Sequence, residues 1–94
     1  MDRYTKIDYD FTPESHTVNN SSAQSSVVTT GSGRIRLAAT TTCHVKFGSN
    51  PTATTNDPLL PADQVEIFEF KSGDKVAFIH HGTGSGKINI SAVD

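Results

Sequence analysis

The run His81-Gly82-Thr83-Gly84-Ser85-Gly86-Lys87 holds the residues that most invite a chemical reading. Glycines beside a lysine suggest a cradle for phosphate, but the spacing is wrong. A phosphate loop needs a glycine five residues before Gly86, where this chain has His81. It also needs a Ser or Thr after the lysine to hold magnesium, where this chain has Ile88. The run leads into an alternating apolar pattern, so no helix N-terminus is placed to receive an anion. The expectation is a plain glycine-rich loop ahead of a strand. His44, His80 and His81 form a second set. Three imidazoles hold zinc when they converge. Neighbours along a strand point to opposite faces, however, which keeps His80 and His81 apart. These histidines are expected at a surface or interface, with no metal and no other cofactor.

Glu66 and Glu69 are a candidate acid pair, but glycoside chemistry needs a cleft and matched environments. Their spacing of three puts them on opposite faces of a strand. They read as solvated or interface charges. Arg34 and Arg36 share one face and can meet Glu66 or Glu69 across strands, or a partner's acidic patch. Cys43 is the only cysteine. It falls on the apolar phase of its strand, with no cation nearby to activate a thiolate, so it reads as a small core residue. Ser, His and Asp occur without a nucleophile-elbow pattern. No converging acid, base, nucleophile or metal set emerges, and no enzyme is expected.

Short strands must position all of these groups. Cys43, Val45 and Phe47 alternate with His44 and Lys46, the period of a strand with one buried face. Asn50-Pro51 and Asp57-Pro58 then break regular structure, because proline lacks a donor and restricts the residue before it. Leu59 and Leu60, between two prolines, are expected to pin this polar crossover to the core. Val65-Glu66-Ile67-Phe68-Glu69-Phe70 restarts the sheet. It is apolar on both phases, which suits a strand covered on both sides or a face open to a partner chain. A turn at Lys71-Ser72-Gly73-Asp74 predicts a hairpin into residues 75–80, with Val76 and Phe78 on one face. Residues 87–91 form a last alternating strand. Ahead of the crossover, Val27-Val28-Thr29-Thr30 is β-branched, and Arg34-Ile35-Arg36-Leu37-Ala38 alternates with Ile35 and Leu37 inward. These and the Cys43 strand predict a meander. No amphipathic helical pattern of useful length appears.

The beginning of the chain reads differently. Tyr4, Ile7, Tyr9 and Phe11 lie among charges before Pro13, either as a short strand or as an arm that orders against a partner. Residues 18–26 are nearly free of large apolar groups and read as a linker, because such a segment cannot offset its own ordering entropy. The expected organisation is an extended N-terminal arm over 1–26 and an all-β domain over 27–94, a small sandwich with a jelly-roll-like or barrel arrangement.

Composition limits the partners. Ninety-four residues make one small domain, which buries about 60% or slightly more of its unfolded surface. The apolar fraction of 34% is low, so self-association or docking onto a larger surface is expected to help. The net charge of −2 is dispersed, without the basic stripe that nucleic acid or an anionic membrane requires. No basic region followed by an apolar run opens the chain, and no stretch has the length of a membrane span. The expectation is a soluble protein made in the cytosol. The sequons at Asn19, Asn20 and Asn89 are then chance matches.

Residues 34–93 resemble small virion proteins of tailed bacteriophages. The likeness is carried by Arg34-Ile35-Arg36-Leu37-Ala38-Ala39-Thr40-Thr41-Thr42-Cys43-His44-Val45-Lys46-Phe47-Gly48 with Asn50-Pro51-Thr52-Ala53-Thr54. Leu60-Pro61-Ala62, Glu66-Ile67-Phe68, Gly73-Asp74-Lys75-Val76-Ala77-Phe78-Ile79 and Gly86-Lys87-Ile88-Asn89-Ile90 complete it. The resemblance implies a β-sandwich structural component of the particle. Such components are capsid decoration (cement) proteins, often trimeric homo-oligomers on the major capsid protein, or tail, portal and fibre accessories. The family carries no catalytic residues. On this reading the chain resides on the capsid surface of the virion after synthesis in the host cytoplasm. Phe68, Phe70 and Phe78, with Arg34 and Arg36, would present the docking patch. Tyr4, Ile7, Tyr9 and Phe11 would dock as the arm. A carbohydrate-binding module is the alternative from another class. It would need exposed aromatics in a groove, yet tryptophan is absent.

Overall fold

The computed structural model describes residues 6–8 and 10–93. Eight strands follow in order: β1 (Glu14–Val18), β2 (Ala23–Gln24), β3 (Arg34–Ala39), β4 (Cys43–Gly48), β5 (Leu59–Leu60), β6 (Val65–Glu69), β7 (Lys75–His80) and β8 (Gly86–Val93). They build two antiparallel four-stranded sheets, one ordered β1-β8-β3-β6 and the other β2-β7-β4-β5. The fold is all-β, with no helix among the described residues. Every step along the chain crosses to the opposite sheet except β4 to β5. Eight strands in two sheets with this order make a small jelly-roll sandwich.

The inward phases supply the core. Ile35 and Leu37 of β3 and Ile88 and Ile90 of β8 face Cys43 and Val45 of β4, Leu60 of β5, and Val76 and Phe78 of β7. All are essentially without solvent contact. The alternation of β3 is clean, with Ile35 and Leu37 buried between outward Arg34 and Arg36. Strand β7 departs from it, because outward Ala77 is also fully buried. The crossover between β4 and β5 lies over that face. Gln24 Nε2, on the strand position opposite Ala77, donates to Asn50 Oδ1 at 2.8 Å and to the Pro51 carbonyl at 2.7 Å. The Ala53 amide donates to Ser22 Oγ at 2.8 Å, and Ala53 is buried. Leu60 pins the end of the crossover into the core as expected, while Leu59 stays exposed on the other phase.

Four expectations are corrected. First, the arm does not extend to residue 26: β1 pairs with β8 and β2 pairs with β7. Residues 14–26 order through backbone partners and a few well-placed groups rather than through bulk apolar burial. Val18 is fully buried, and the His16 ring sits 5.4 Å from that of Phe78. Ser25 is buried too; its amide donates to the Val76 carbonyl at 2.8 Å and its Oγ accepts from the Val76 amide at 3.0 Å. A deletion through residue 20 would therefore remove a strand from one sheet. Second, residues 27–30 form no strand. The Val28 amide instead donates to the Asp74 carbonyl, and the Gly73 amide to the Val28 carbonyl. Third, β3 and β4 are not meander neighbours, because they lie in different sheets. Fourth, the turn at residues 71–74 closes as foreseen, with Gly73 at φ 101°, but it links β6 to β7 across the sandwich rather than as a hairpin.

Candidate functional site

The two outer faces of the sandwich differ. The crossover shields the β2-β7-β4-β5 sheet, whereas on the opposite sheet the edge strand β6 carries exposed apolar groups. The register places Arg34 across from Glu69, Arg36 across from Ile67, and Ala38 across from Val65, all on the outward side. Arg34 and Glu69 are thus register partners on the outward phase that the alternation assigns to the arginine. Glu66 falls on the other phase, opposite Leu37. Val65 is 50% exposed and Ile67 46%. The two aliphatic groups thus stand on a strand whose far edge has no partner strand among the described residues, with Arg36 across from Ile67. Such an edge is a ready site for protein contact.

The sequence-derived contact residues scatter. Phe78 is corrected outright: it is fully buried opposite Val45 and cannot meet a partner. Phe68 and Phe70 are half-buried and stack around Phe47, with ring centroids 5.6 and 5.9 Å from it, sealing one end of the core. Arg34 and Arg36 face outward as expected. Ile7 forms an isolated bridge with Val93, and the Asp8 amide donates to the Ala92 carbonyl at 3.0 Å. These residues take up the edge of β8 beyond β1, and Phe11 packs against the core. Ile7 and Phe11 are thus engaged within the chain. Tyr4 and Tyr9 lie outside the described residues. The apolar outward pair Val65 and Ile67 is legible in the sequence as one of the two apolar phases of the β6 run.

His80 and His81 separate as strand geometry requires, but the surface expected for all three histidines holds only for His81, because His44 and His80 are buried. His80 turns inward, where its Nδ1–H donates to the Gly82 carbonyl at 3.2 Å and its Nε2 accepts from Thr41 Oγ1 at 2.5 Å. His44 turns outward beneath the crossover and is nearly buried. Its Nδ1–H donates to the Asp57 carbonyl at 2.8 Å, and its Nε2 lies 2.9 Å from Nδ1 of exposed His81. No group of three or more His, Cys, Asp or Glu converges among the described residues. Asn20 anchors the 81–86 loop, donating to the Gly82 carbonyl and accepting from the Gly84 amide. The loop feeds β8 directly. Cys43 is fully buried, and burial pushes its thiol up to about 11, so it is a core group without thiolate character at neutral pH.

Comparison with protein-family models, with curated proteins and with solved structures finds no match for this chain.

Proposed function

We propose that this chain is a structural protein of a tailed-bacteriophage virion, a decoration protein that adheres to the head and bridges adjacent major capsid subunits. The observation carrying this reading is the exposed Val65–Ile67 pair on the edge strand β6, with Arg36 across from Ile67. A jelly-roll sandwich is an architecture common among viral capsid domains. Edge pairing would complete the sheet, and the two apolar side chains would lose water against the docking subunit. Copies repeated over a lattice turn weak contacts into firm attachment. The decoration protein acts as a homo-oligomer, with a trimer matching such particles. It resides on the capsid surface after synthesis in the host cytoplasm, and it carries no catalytic activity.

Quantitative mass spectrometry of purified particles tests this. Hundreds of copies per virion support decoration. A dozen or so indicate a tail or portal accessory, and absence from particles removes both. Jelly rolls also serve lectins, so a glycan array is the companion assay. The rings of Phe47, Phe68 and Phe70 pack on one another and on the core rather than lining a groove, so no glycan signal is expected.

A further inference from the structure

We propose that His44 and His81 form a two-imidazole chelate for a divalent transition-metal ion, open to solvent on its remaining coordination positions. The proposal stands independently of the virion reading.

The Asp57 carbonyl can only accept, so the 2.8 Å contact places the His44 proton on Nδ1. That leaves the Nε2 lone pair directed at His81. Donation of the second ring nitrogen to a backbone carbonyl is the usual way a metal-binding histidine is held in tautomer and orientation. His44 is further fixed by its place in β4, which is paired on both sides, opposite Ile79 of β7 and Leu59 of β5. The His81 amide donates to the Thr42 carbonyl at 2.9 Å, tying the second ligand's backbone to the same sheet. The imidazole centroids are 5.0 Å apart, with planes at 51°.

At 2.9 Å, His44 Nε2 accepts one hydrogen bond when His81 carries its proton on Nδ1. If His81 carries its proton on Nε2 instead, two lone pairs face each other, and a bound cation turns that repulsion into coordination. Two bonds of about 2.0–2.1 Å at a tetrahedral angle need roughly 3.3 Å between the nitrogens. Exposed His81 reaches that by a shift of a few tenths of an ångström, with a modest ring rotation. Imidazole pairs suit Cu²⁺, Ni²⁺ and Zn²⁺, with Cu²⁺ binding most tightly. Mg²⁺ and Ca²⁺ want oxygen ligands and are excluded.

The test uses the full chain, titrated with CuCl₂ and ZnCl₂ by calorimetry and followed by ¹H–¹⁵N NMR. The expected result is one equivalent bound. Paramagnetic Cu²⁺ would broaden resonances of Thr42, His44, Ile79 and His81 but spare His16, which lies on another sheet. MgCl₂ should produce no change. His81→Ala removes an exposed ligand and should weaken binding about 100-fold, the loss of the second arm of a bidentate contact. His81→Asn provides the same comparison with a polar side chain retained, and the amide spectrum of each variant reports folding. Binding within threefold of wild type in both variants, broadening centred on His16, or no uptake of either metal would overturn the proposal.

Discussion

Replacing Phe78 with alanine separates the core from the docking surface. Phe78 has no solvent contact, lies opposite Val45 in the β4–β7 ladder and touches the His16 ring of the facing sheet. Truncating a phenylalanine so placed removes its transfer free energy and leaves a cavity between two sheets, a cost of about 3–5 kcal/mol. A domain of this size has a total stability of about 5–15 kcal/mol. The melting temperature should therefore fall by roughly 12–40 °C, and the urea midpoint by more than about 1 M. Ile67→Ala is the matched control. Ile67 is 46% exposed on the outward face of an edge strand, so its loss should cost about 1 kcal/mol or less. Particle occupancy should fall in Ile67→Ala while its stability persists, whereas any loss of occupancy in Phe78→Ala should track unfolding. Urea denaturation of both variants with capsid co-sedimentation reads all of this. A Phe78→Ala cost below about 1 kcal/mol at unchanged m-value would refute the assignment of inner and outer faces.

Three further outcomes follow from individual contacts. A Cβ on Gly86 would sit 2.6 Å from Cβ and Cγ2 of Thr41, so Gly86→Ala should destabilise by about 1–3 kcal/mol in thermal melts, and a neutral result would mean that Thr41 moves freely. Burial raises the Glu14 carboxyl, but hydrogen bonds from Ser26 Oγ, from His16 and from the Ser26 amide outweigh it and hold Glu14 below its usual 4.5. A depressed folded-state value means that this stabilisation is complete above about 4.5 and is lost as pH falls through the folded value, so the acid limb of urea midpoint against pH should flatten in Glu14→Gln. The Cys43 thiol, buried and raised to about 11, should resist a thiol reagent at neutral pH until denaturant is added; rapid labelling of the native protein would contradict its core position.

Legibility in the sequence followed the range of the interactions. The strands β3, β4, β7 and β8 could be read because alternation is a local property, and in β3, β4 and β8 it marks residues that face the core: Ile35 and Leu37, Val45, and Ile88 and Ile90. The separation of His80 from His81 could be read for the same reason. Strand β1 could not. Its residues Glu-Ser-His-Thr-Val contain one aliphatic group, and what orders them is the unpaired edge of β8, far along the chain. The placement of Phe78 shows the same limit. Its burial rests on the opposite sheet, whereas its sequence neighbours only indicate which residues share its face.

From the sequence alone came the all-β character, the alternating phases of the long strands and the crossover between two proline breaks. The tertiary structure alone decided which strands share a sheet, that residues 14–26 belong to the sandwich, that Val65 and Ile67 rather than Phe78 face outward, and that His44 meets His81. A strand's period of two is written in its own side chains, whereas its partner is chosen by hydrogen bonds and packing between segments far apart in the chain.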